Sequence, residues 1–506
     1  MARYAYERLT AQDNSFLIME SPKHHMHVAS TLIYDAGPLR TKEGGIDFER
    51  VKAATEGYLH RIPRYRQKLH FIPLEGSAVW VDDRHFSLDY HVRHAALPKP
   101  GSDEQLRRLA SRIMAMPLDR ARPLWETWIV EGLEGDRFAV ITKIHHCMID
   151  GSSGVDVAQI MMRATPDRDI PQAPAFMPRP APSNTELLRA ELWHRATLPL
   201  EAVRNFRAFA AETDDLRREL AARAGILAST LGMGTKGDET PMNGVNGPHR
   251  RFDWLNTSLE DLKAVRRALS ATINDVVLTI VTGAVREYLT LRGIDPASLE
   301  FRISAPVSVR SEEERGRLGN RVSSWILALP IDQADPRAQL ERIHETTQDL
   351  KGTNQALGVE MMMQVAEWTP SILLSLGAQA INGPINTIVT NVPGPQFPLY
   401  LQGAELEAIY PQVPLLPGLG IGIALMSYNG RVCWGFNSDP DIVPDGTEFA
   451  KLVAKSFRRV AEAAGVELSE KPKAGASAPA SRKKAKKAKD EAAALGNGSG
   501  EHVVLA

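Results

Sequence analysis

"KIHHCMIDGSSG", residues 143–154, follows the apolar run "FAVIT" at 138–142 and ends in a turn rich in glycine and serine. The apolar run predicts a β-strand, and Ser152 or Ser153 predicts the cap of a helix over "GVDVAQIMMRA". His145 and His146 therefore stand at a strand end, with Asp150 and Gly151 in the turn that follows. Three chemistries fit such a stretch: a metal pair, a general base with a supporting carboxylate, or two core histidines beside a turn. A metal pair on a helix needs His and Asp on one face at i and i+4. A strand-to-turn setting removes that geometry and no further liganding cluster follows, so no metal is expected. An imidazole can take a proton from a hydroxyl once a neighbour fixes its tautomer. Gly151 would let the backbone turn close to such a site.

Outward from this stretch, 506 residues exceed what one hydrophobic core usually spans, which predicts two domains with extensions. A formal net charge of −1 argues against a general nucleic-acid binder, and no nucleic-acid partner is expected. Only Cys147 and Cys433 are present, too few for a disulfide framework or a cysteine-based zinc site. The N-terminal "MARYAYERLTAQDNSF" carries no apolar signal region with a cleavage site, which leads us to expect a cytoplasmic protein. No charge occurs from Trp368 to Ala404 or from Ala408 to Gly430. Prolines at 370, 384, 393, 395 and 398 and at 411, 414 and 417 cut both stretches below the length of a spanning helix. Buried core strands and loops, or an apolar tunnel or lipid-facing surface, remain as readings of these stretches.

Composition changes at "TPDRDIPQAPAFMPRPAPS", residues 165–183, and at "GMGTKGDETPMNGVNGPHR", residues 232–250, both rich in helix breakers. The chain then divides into an N-terminal domain at 1–165, a helical connector at 166–250, a C-terminal domain at 251–468, and a basic tail at 469–506 with too little apolar content to fold. Each ordered half mixes strands such as "HMHVASTLIYD", "LWETWIVEGL", "NTIVTNVPG" and "IGIALMSYNG" with helices such as "EQLRRLASRIMAM" and "INDVVLTIVTGAVREYLTLRG". The fold class is α/β.

"HHCMIDG" resembles the HHxxxDG motif of CoA-dependent acyltransferases, and its surroundings resemble the bacterial wax ester synthase/diacylglycerol acyltransferase family. The resemblance rests on an ordered series: "LTAQDNSFL" and "MHVAS" near the start, "RPLWE" at 122–126, "HHCMIDG" at 145–151, "TINDVVLTIVTGAVREYL", "PVSVR" at 306–310, "GNRVS" at 319–323, "TNVPGP" at 390–395 and "SYNGRVCWGFNSDPDIVPD". It implies two chloramphenicol-acetyltransferase-like (CoA-dependent acyltransferase) domains joined by the helical connector, with the active site between them. It also implies His146 as general base, His145 as an auxiliary neighbour, and Asp150 as a loop brace paired with Arg310. Asn274 and Asp275, at the start of a helix, would either cap it or line the site, and Asn391 would be an oxyanion donor. The extra histidines in "SPKHHMHVAS" could suggest a metal, but the expectation is that they face solvent at a strand entrance.

The implied reaction moves a long-chain acyl group from acyl-CoA, a substrate, to diacylglycerol or a long-chain alcohol, with no cofactor. There is no G-x-S-x-G elbow, and Cys147 reads as a packing residue, so direct transfer is expected. His145 and Asp150 also satisfy the H-x-x-x-x-D spacing of glycerolipid acyltransferases, but that reading leaves the second histidine unexplained. Two alternatives are a non-catalytic lipid-binding scaffold and an acyltransferase that uses a carrier-protein thioester. Substrates this insoluble imply peripheral association with a membrane or lipid-droplet surface. "TELLRAELWHRATLPLEAVRNFRAF" interleaves Leu188, Leu192, Trp193, Val203, Phe206 and Phe209 with Arg189, Arg195, Arg204 and Arg207, which suits an interfacial helix and equally a connector packed on the two domains with its arginines in solvent.

Overall fold

Fifteen strands are formed by the described residues, and twelve of them build two six-stranded sheets. The structure, a computed structural model of the chain, describes residues 5–74, 76–148, 160–197, 238–308, 322–352 and 385–469. In chain order the strands are β1 (Glu7–Arg8), β2 (His27–Asp35), β3 (Gln67–Phe71), β4 (Ala78–Asp82), β5 (Val92–Ala96), β6 (Trp125–Leu133), β7 (Arg137–His145), β8 (Arg251–Ser258), β9 (Phe301–Ser308) and β10 (Val322–Leu329). They continue with β11 (Thr387–Pro393), β12 (Tyr400–Leu401), β13 (Ala404–Gln412), β14 (Ile421–Tyr428) and β15 (Arg431–Ser438). The helices used below are α1 (Ala11–Met19), α2 (Asp103–Ala115), α3 (residues 184–197), α4 (Leu259–Ala268), α5 (Ile273–Leu291), α6 (Pro336–Gly352) and α7 (Gly446–Ala464).

The first sheet has the order β12-β13-β2-β7-β6-β5. Strand β7 sits inside it because its apolar run, Phe138 to Ile141, is covered on both faces. β2 and β7 pair antiparallel from Asp35 opposite Arg137 to His27 opposite His145. β5 and β6 run parallel, and α2 supplies the crossover that a parallel pair requires. α2 starts on a capping box between Ser102 and Gln105 and buries Leu106, Ala110, Ile113 and Met114.

The second sheet has the order β10-β9-β11-β14-β15-β8. Under it lies α5, built largely from valine, isoleucine and threonine, which helices do not favour intrinsically. Burial overrides that preference. Val276, Val277, Leu278, Ile280 and Val281 are fully buried, each burial contributing about 1.5–3 kcal/mol, while Thr279 and Thr282 return their hydroxyls to carbonyls one turn back at 2.8 Å. The helix ends at Leu291, and Gly293 follows it with φ +72°, the left-handed conformation expected after a helix C-terminus.

The two sheets are not the two halves of the chain. β12 and β13, residues 400–412, come from the C-terminal half yet extend the first sheet, β13 lying against β2 with Gln412 opposite Ala29. Pro411 is tolerated inside β13 because β12 pairs only at Glu405 and Ala404, so among the described residues no strand pairs with that end of β13 on its second side. At this junction β15 approaches so closely that a Cβ on Gly435 would lie 1.9 Å from the carbonyl oxygen of Pro411. Further bonds tie the first sheet and its helix α2 to β8 of the second sheet. The Phe252 amide donates to Ser111 Oγ at 2.8 Å, Asn256 donates to the Tyr410 hydroxyl at 2.7 Å, and Arg107 pairs with Asp253 at 3.4 Å.

The proline-rich stretch forms neither helix nor strand over residues 166–183, as its composition predicts, and Arg179 anchors it through a two-pronged contact with Asp82 at 2.9 Å. Of the connector helices only α3 is described. The residues from 198 to 237, with Val203, Arg204, Phe206, Arg207 and Phe209, lie outside the described residues. The charge-free stretch after Ala408 forms core strands: Ile421, Ile423, Leu425 and Tyr428 are buried. Its counterpart from Trp368 to 384 is outside the described residues. No single described helix is long and apolar enough to cross a membrane.

Candidate active site

His145 closes β7, and His146 opens the single 3-10 turn His146–Met148. Their backbones are pinned from two sides, because the His145 amide donates to Leu124 O at 2.9 Å and the His146 amide donates to Met26 O at 2.7 Å. The pins come from the "RPLWE" and "MHVAS" segments, so two of the ordered sequence motifs serve to hold a third.

The side chains have different surroundings. His145 is buried, and the Cys147 amide donates to its Nδ1 at 3.1 Å. That nitrogen is thereby an acceptor, which places the proton of the neutral ring on Nε2, 3.5 Å from Glu20 Oε2. His146 is only half-buried, and its ring stacks on Phe16 of α1 with centroids 4.0 Å apart. One imidazole is fixed inside the protein, and the other is carried on the turn with an aromatic wall beside it. Cys147 is buried and burial pushes its thiol well up, so it is a packing residue and not a thiolate nucleophile.

Glu20, the C-terminal cap of α1, is the centre of a charged cluster that the sequence did not single out. Arg120 holds its Oε2 at 2.5 Å and also donates to Leu17 O at 3.2 Å, tying the end of α1 to the loop before β6. His27 Nε2 lies 3.4 Å and His25 Nδ1 3.8 Å from Oε1. Burial works against the Glu20 charge, but the neighbouring His145, His25 and His27 outweigh it and hold the carboxyl well below the usual carboxylate range. The expectation of solvent-facing histidines is corrected here. His27 is fully buried, burial pushes its ring down to about 3, and His24 spans Ser21 Oγ at 2.8 Å and Asn246 Oδ1 at 2.9 Å. The reason is register: His27 pairs with His145 inside the sheet, which encloses its ring, while His24 and His25 just before the strand are half-buried.

Beneath the turn, Lys143 is fully buried and donates to the carbonyls of Ile113 and Met116 at 3.0 and 2.9 Å, satisfying the C-terminus of α2. Glu126 lies 3.7 Å away and is shared with Arg93 at 3.2 Å. Burial pushes the Lys143 ammonium down to about 8.

The remaining predicted residues divide. Asp150, Gly151 and Arg310 lie outside the described residues, and so does any brace between them. Asp275 is a buried cap. Its Oδ2 accepts from the Thr272 amide at 3.0 Å and meets His344 Nδ1 at 2.8 Å, while Thr347 donates to Oδ1 at 2.9 Å, so the carboxylate locks α6 onto the start of α5. Asn274 beside it is half-buried. Asn391 sits in β11 of the second sheet, opposite Leu425, half-buried and on a different sheet from the histidines.

Glu20, Arg120, Phe16 and Lys143 were missed by sequence reasoning. The one available signal was His25-x-His27, whose two-residue period puts both rings on one strand face. Nothing local marks Glu20 or Arg120, which meet across 100 residues.

Comparison with known proteins gives this geometry its family. The profile of the wax ester synthase/diacylglycerol acyltransferase catalytic domain matches residues 9–277, and that of the WS/DGAT C-terminal domain matches residues 318–461. A Mycobacterium tuberculosis H37Rv protein named as a diacylglycerol O-acyltransferase is 31% identical over 452 residues, covering 87% of each chain. A second from that strain is 30% identical over 468 residues, covering 89% of this chain and 95% of its own. Among solved structures, the wax ester synthase/diacylglycerol acyltransferase from Marinobacter aquaeolei VT8 superimposes with a TM-score of 0.63 at 24% identity, covering 91% of this chain and all of that one. The first condensation domain of the calcium-dependent antibiotic synthetase shares the fold, with a TM-score of 0.57 at 16% identity and coverage of 92% and 97%. Two domain profiles over most of the length, and relatives matched nearly end to end, show that the chain belongs to the wax ester synthase/diacylglycerol acyltransferase family and is an acyltransferase.

Proposed function

We propose that this acyltransferase moves a long-chain acyl group from acyl-CoA to the hydroxyl of diacylglycerol or a long-chain alcohol, with His146 as general base and no cofactor in the transfer. The observation that carries the assignment is the unequal setting of the two histidines. His145 is buried with Nδ1 occupied by the Cys147 amide, whereas His146 is half-buried at the strand end. His146 takes the acceptor's hydroxyl proton as that oxygen attacks the thioester carbonyl. A tetrahedral oxyanion forms, the carbon–sulfur bond breaks, and coenzyme A leaves with the proton returned to its sulfur. In this reading Asn391, or backbone amides near it, donates to the oxyanion, and Asp150 with Arg310 braces the turn.

Such acceptors reside in lipid, and α3 is the surface we assign to contact it. Leu192 and Trp193 are exposed while Leu187 on the same helix is buried in the core, and Arg189 lies nearby in the sequence. Arg195 differs, being paired with Glu191 at 2.9 Å. The protein is then peripheral, on the cytoplasmic side of a membrane or on a lipid droplet.

The deciding experiment supplies purified protein with labelled palmitoyl-CoA and a panel of hexadecanol, diacylglycerol and water, and identifies the esters. Ester formation that persists in His146→Ala would end the base assignment. Flotation with anionic liposomes that is unchanged in Leu192→Glu/Trp193→Glu would remove α3 as the lipid contact.

A further inference from the structure

His25 and His27 are two residues apart on one extended segment and present their rings to the same side, stacked with centroids 5.3 Å apart. Glu20 reaches that side from the end of α1. Glu20 Oε1 is 3.4 Å from His27 Nε2 and 3.8 Å from His25 Nδ1, and one ligand atom from each of the three residues lies within 4.8 Å of the others. Donors about 2.0–2.1 Å from a tetrahedral zinc ion stand about 3.3–3.5 Å apart, so Glu20 and His27 already have that spacing and the His25 ring must swing inward to close on an ion.

A second observation is independent of the spacing. His27 is fully buried, and neither ring nitrogen has a hydrogen-bond partner among the described residues; at 3.4 Å the Glu20 oxygen is a misaligned electrostatic neighbour. Leaving a buried imidazole without partners is costly, and a cation on Nε2 would satisfy the lone pair aimed at Glu20.

We propose that Glu20 Oε1, His25 Nδ1 and His27 Nε2 form a site for one divalent transition-metal ion of the zinc class, with a fourth position for water. The ligand set, two imidazoles and one carboxylate, is the chemistry such ions take. Arg120 binds the other carboxylate oxygen at 2.5 Å and so orients Oε1 toward the imidazoles, as outer-shell partners of metal ligands do. His145 is not a ligand, because its Nδ1 accepts from the Cys147 amide and its Nε2 therefore keeps its proton. The ion would join the end of α1 to the start of β2 and hold Phe16 beside His146, a bracing role outside the acyl transfer. The HHxxxDG histidines take no part in this site.

The test is metal binding by the full chain, with no reading of activity. Chelator-treated protein is titrated with Co²⁺ and with Zn²⁺, following the visible bands of four-coordinate cobalt and their displacement by zinc. One ion per chain is expected. His25→Ala, at the rim of the cluster, and Glu20→Gln should each weaken binding on the order of 100-fold, while His24→Ala, bound elsewhere, should not. Circular dichroism checks that each variant is folded, and the wild-type titration stands if one is not. No uptake by the wild-type chain at micromolar free metal overturns the proposal, as does uptake that His25→Ala and Glu20→Gln leave unchanged.

Discussion

The two six-stranded sheets bury different things. Around the end of β7 the first sheet encloses Lys143, Glu126, His27 and His145, with Glu20 and Arg120 at its margin. The second sheet encloses an aliphatic helix, α5, whose one buried carboxylate, Asp275, is fully spoken for by a helix cap, a histidine and a threonine. Ionisable groups are expensive to bury, and each must be paired or hydrogen-bonded. Around β7 such groups gather at one strand end beside His145 and His146, whereas beside the second sheet the buried aspartates Asp253, Asp261 and Asp439 are spread apart around an aliphatic core. A lowered carboxyl is therefore informative at Glu20 and much less so at Asp275, where His344 and the helix cap at Thr272 account for it.

The most forceful way to break this contrast is to remove His146. His146→Ala should lower acyl transfer by about 10²–10⁴-fold with the melting temperature nearly unchanged. His145→Ala should instead lower stability, because the Cys147 amide loses its acceptor and a buried ring is deleted. Measuring kcat/KM beside the melting temperature separates the two, and equal activity loss at equal stability would erase the distinction between them.

Removing Glu20 comes next. Breaking a buried ion pair costs about 3–5 kcal/mol, and because Arg120 is partly exposed, Glu20→Ala should fall at the lower end of that range. Urea unfolding reads this directly. A change under about 0.5 kcal/mol, the size of an ordinary surface substitution, would mean the cluster is not structural.

On the side of the second sheet, Asp275→Ala should cost about 1–3 kcal/mol, since the Thr272 amide and the Thr347 hydroxyl lose their acceptor, while Asn274→Ala should cost little. Retained stability with lost activity in Asp275→Ala would move this residue from cap to substrate site.

The smallest effect is a pH slope. Lys143 is pushed down to about 8 by burial, so between there and the ordinary lysine range the unfolded chain holds more protons than the folded one. Unfolding free energy from this group therefore rises with pH. The penalty of burying the charge is complete below pH 8 and is relieved above it, by at most about 1.4 kcal/mol per pH unit. Wild type should gain on Lys143→Met between about pH 8 and 9.5 in chemical denaturation. Parallel profiles would show that Lys143 stays charged.

After these tests the division between sequence and structure can be stated in particular residues. The strand over 137–145, the α2 and α5 helices, and the placement of His145 and His146 at a strand end were legible in the sequence, because hydrophobic periodicity and caps are local signals. The ordered motifs likewise carry the family resemblance in the sequence alone. β13 was not legible: its partner β2 lies some 370 residues earlier and Pro411 disguises the strand. Nor was the helix cap at Asp275 separable from a site role, since the deciding partners, His344 and Thr347, belong to another helix. Above all, Glu20 carries no sequence signal; its charge state and its three histidines exist only once α1, β2 and β7 meet. What the sequence by itself determined was which side chains are present and the local conformation that carries them. The tertiary structure alone decided which are buried and against what, because burial and pairing across distant segments set the ionisation of Glu20 and enclose His27.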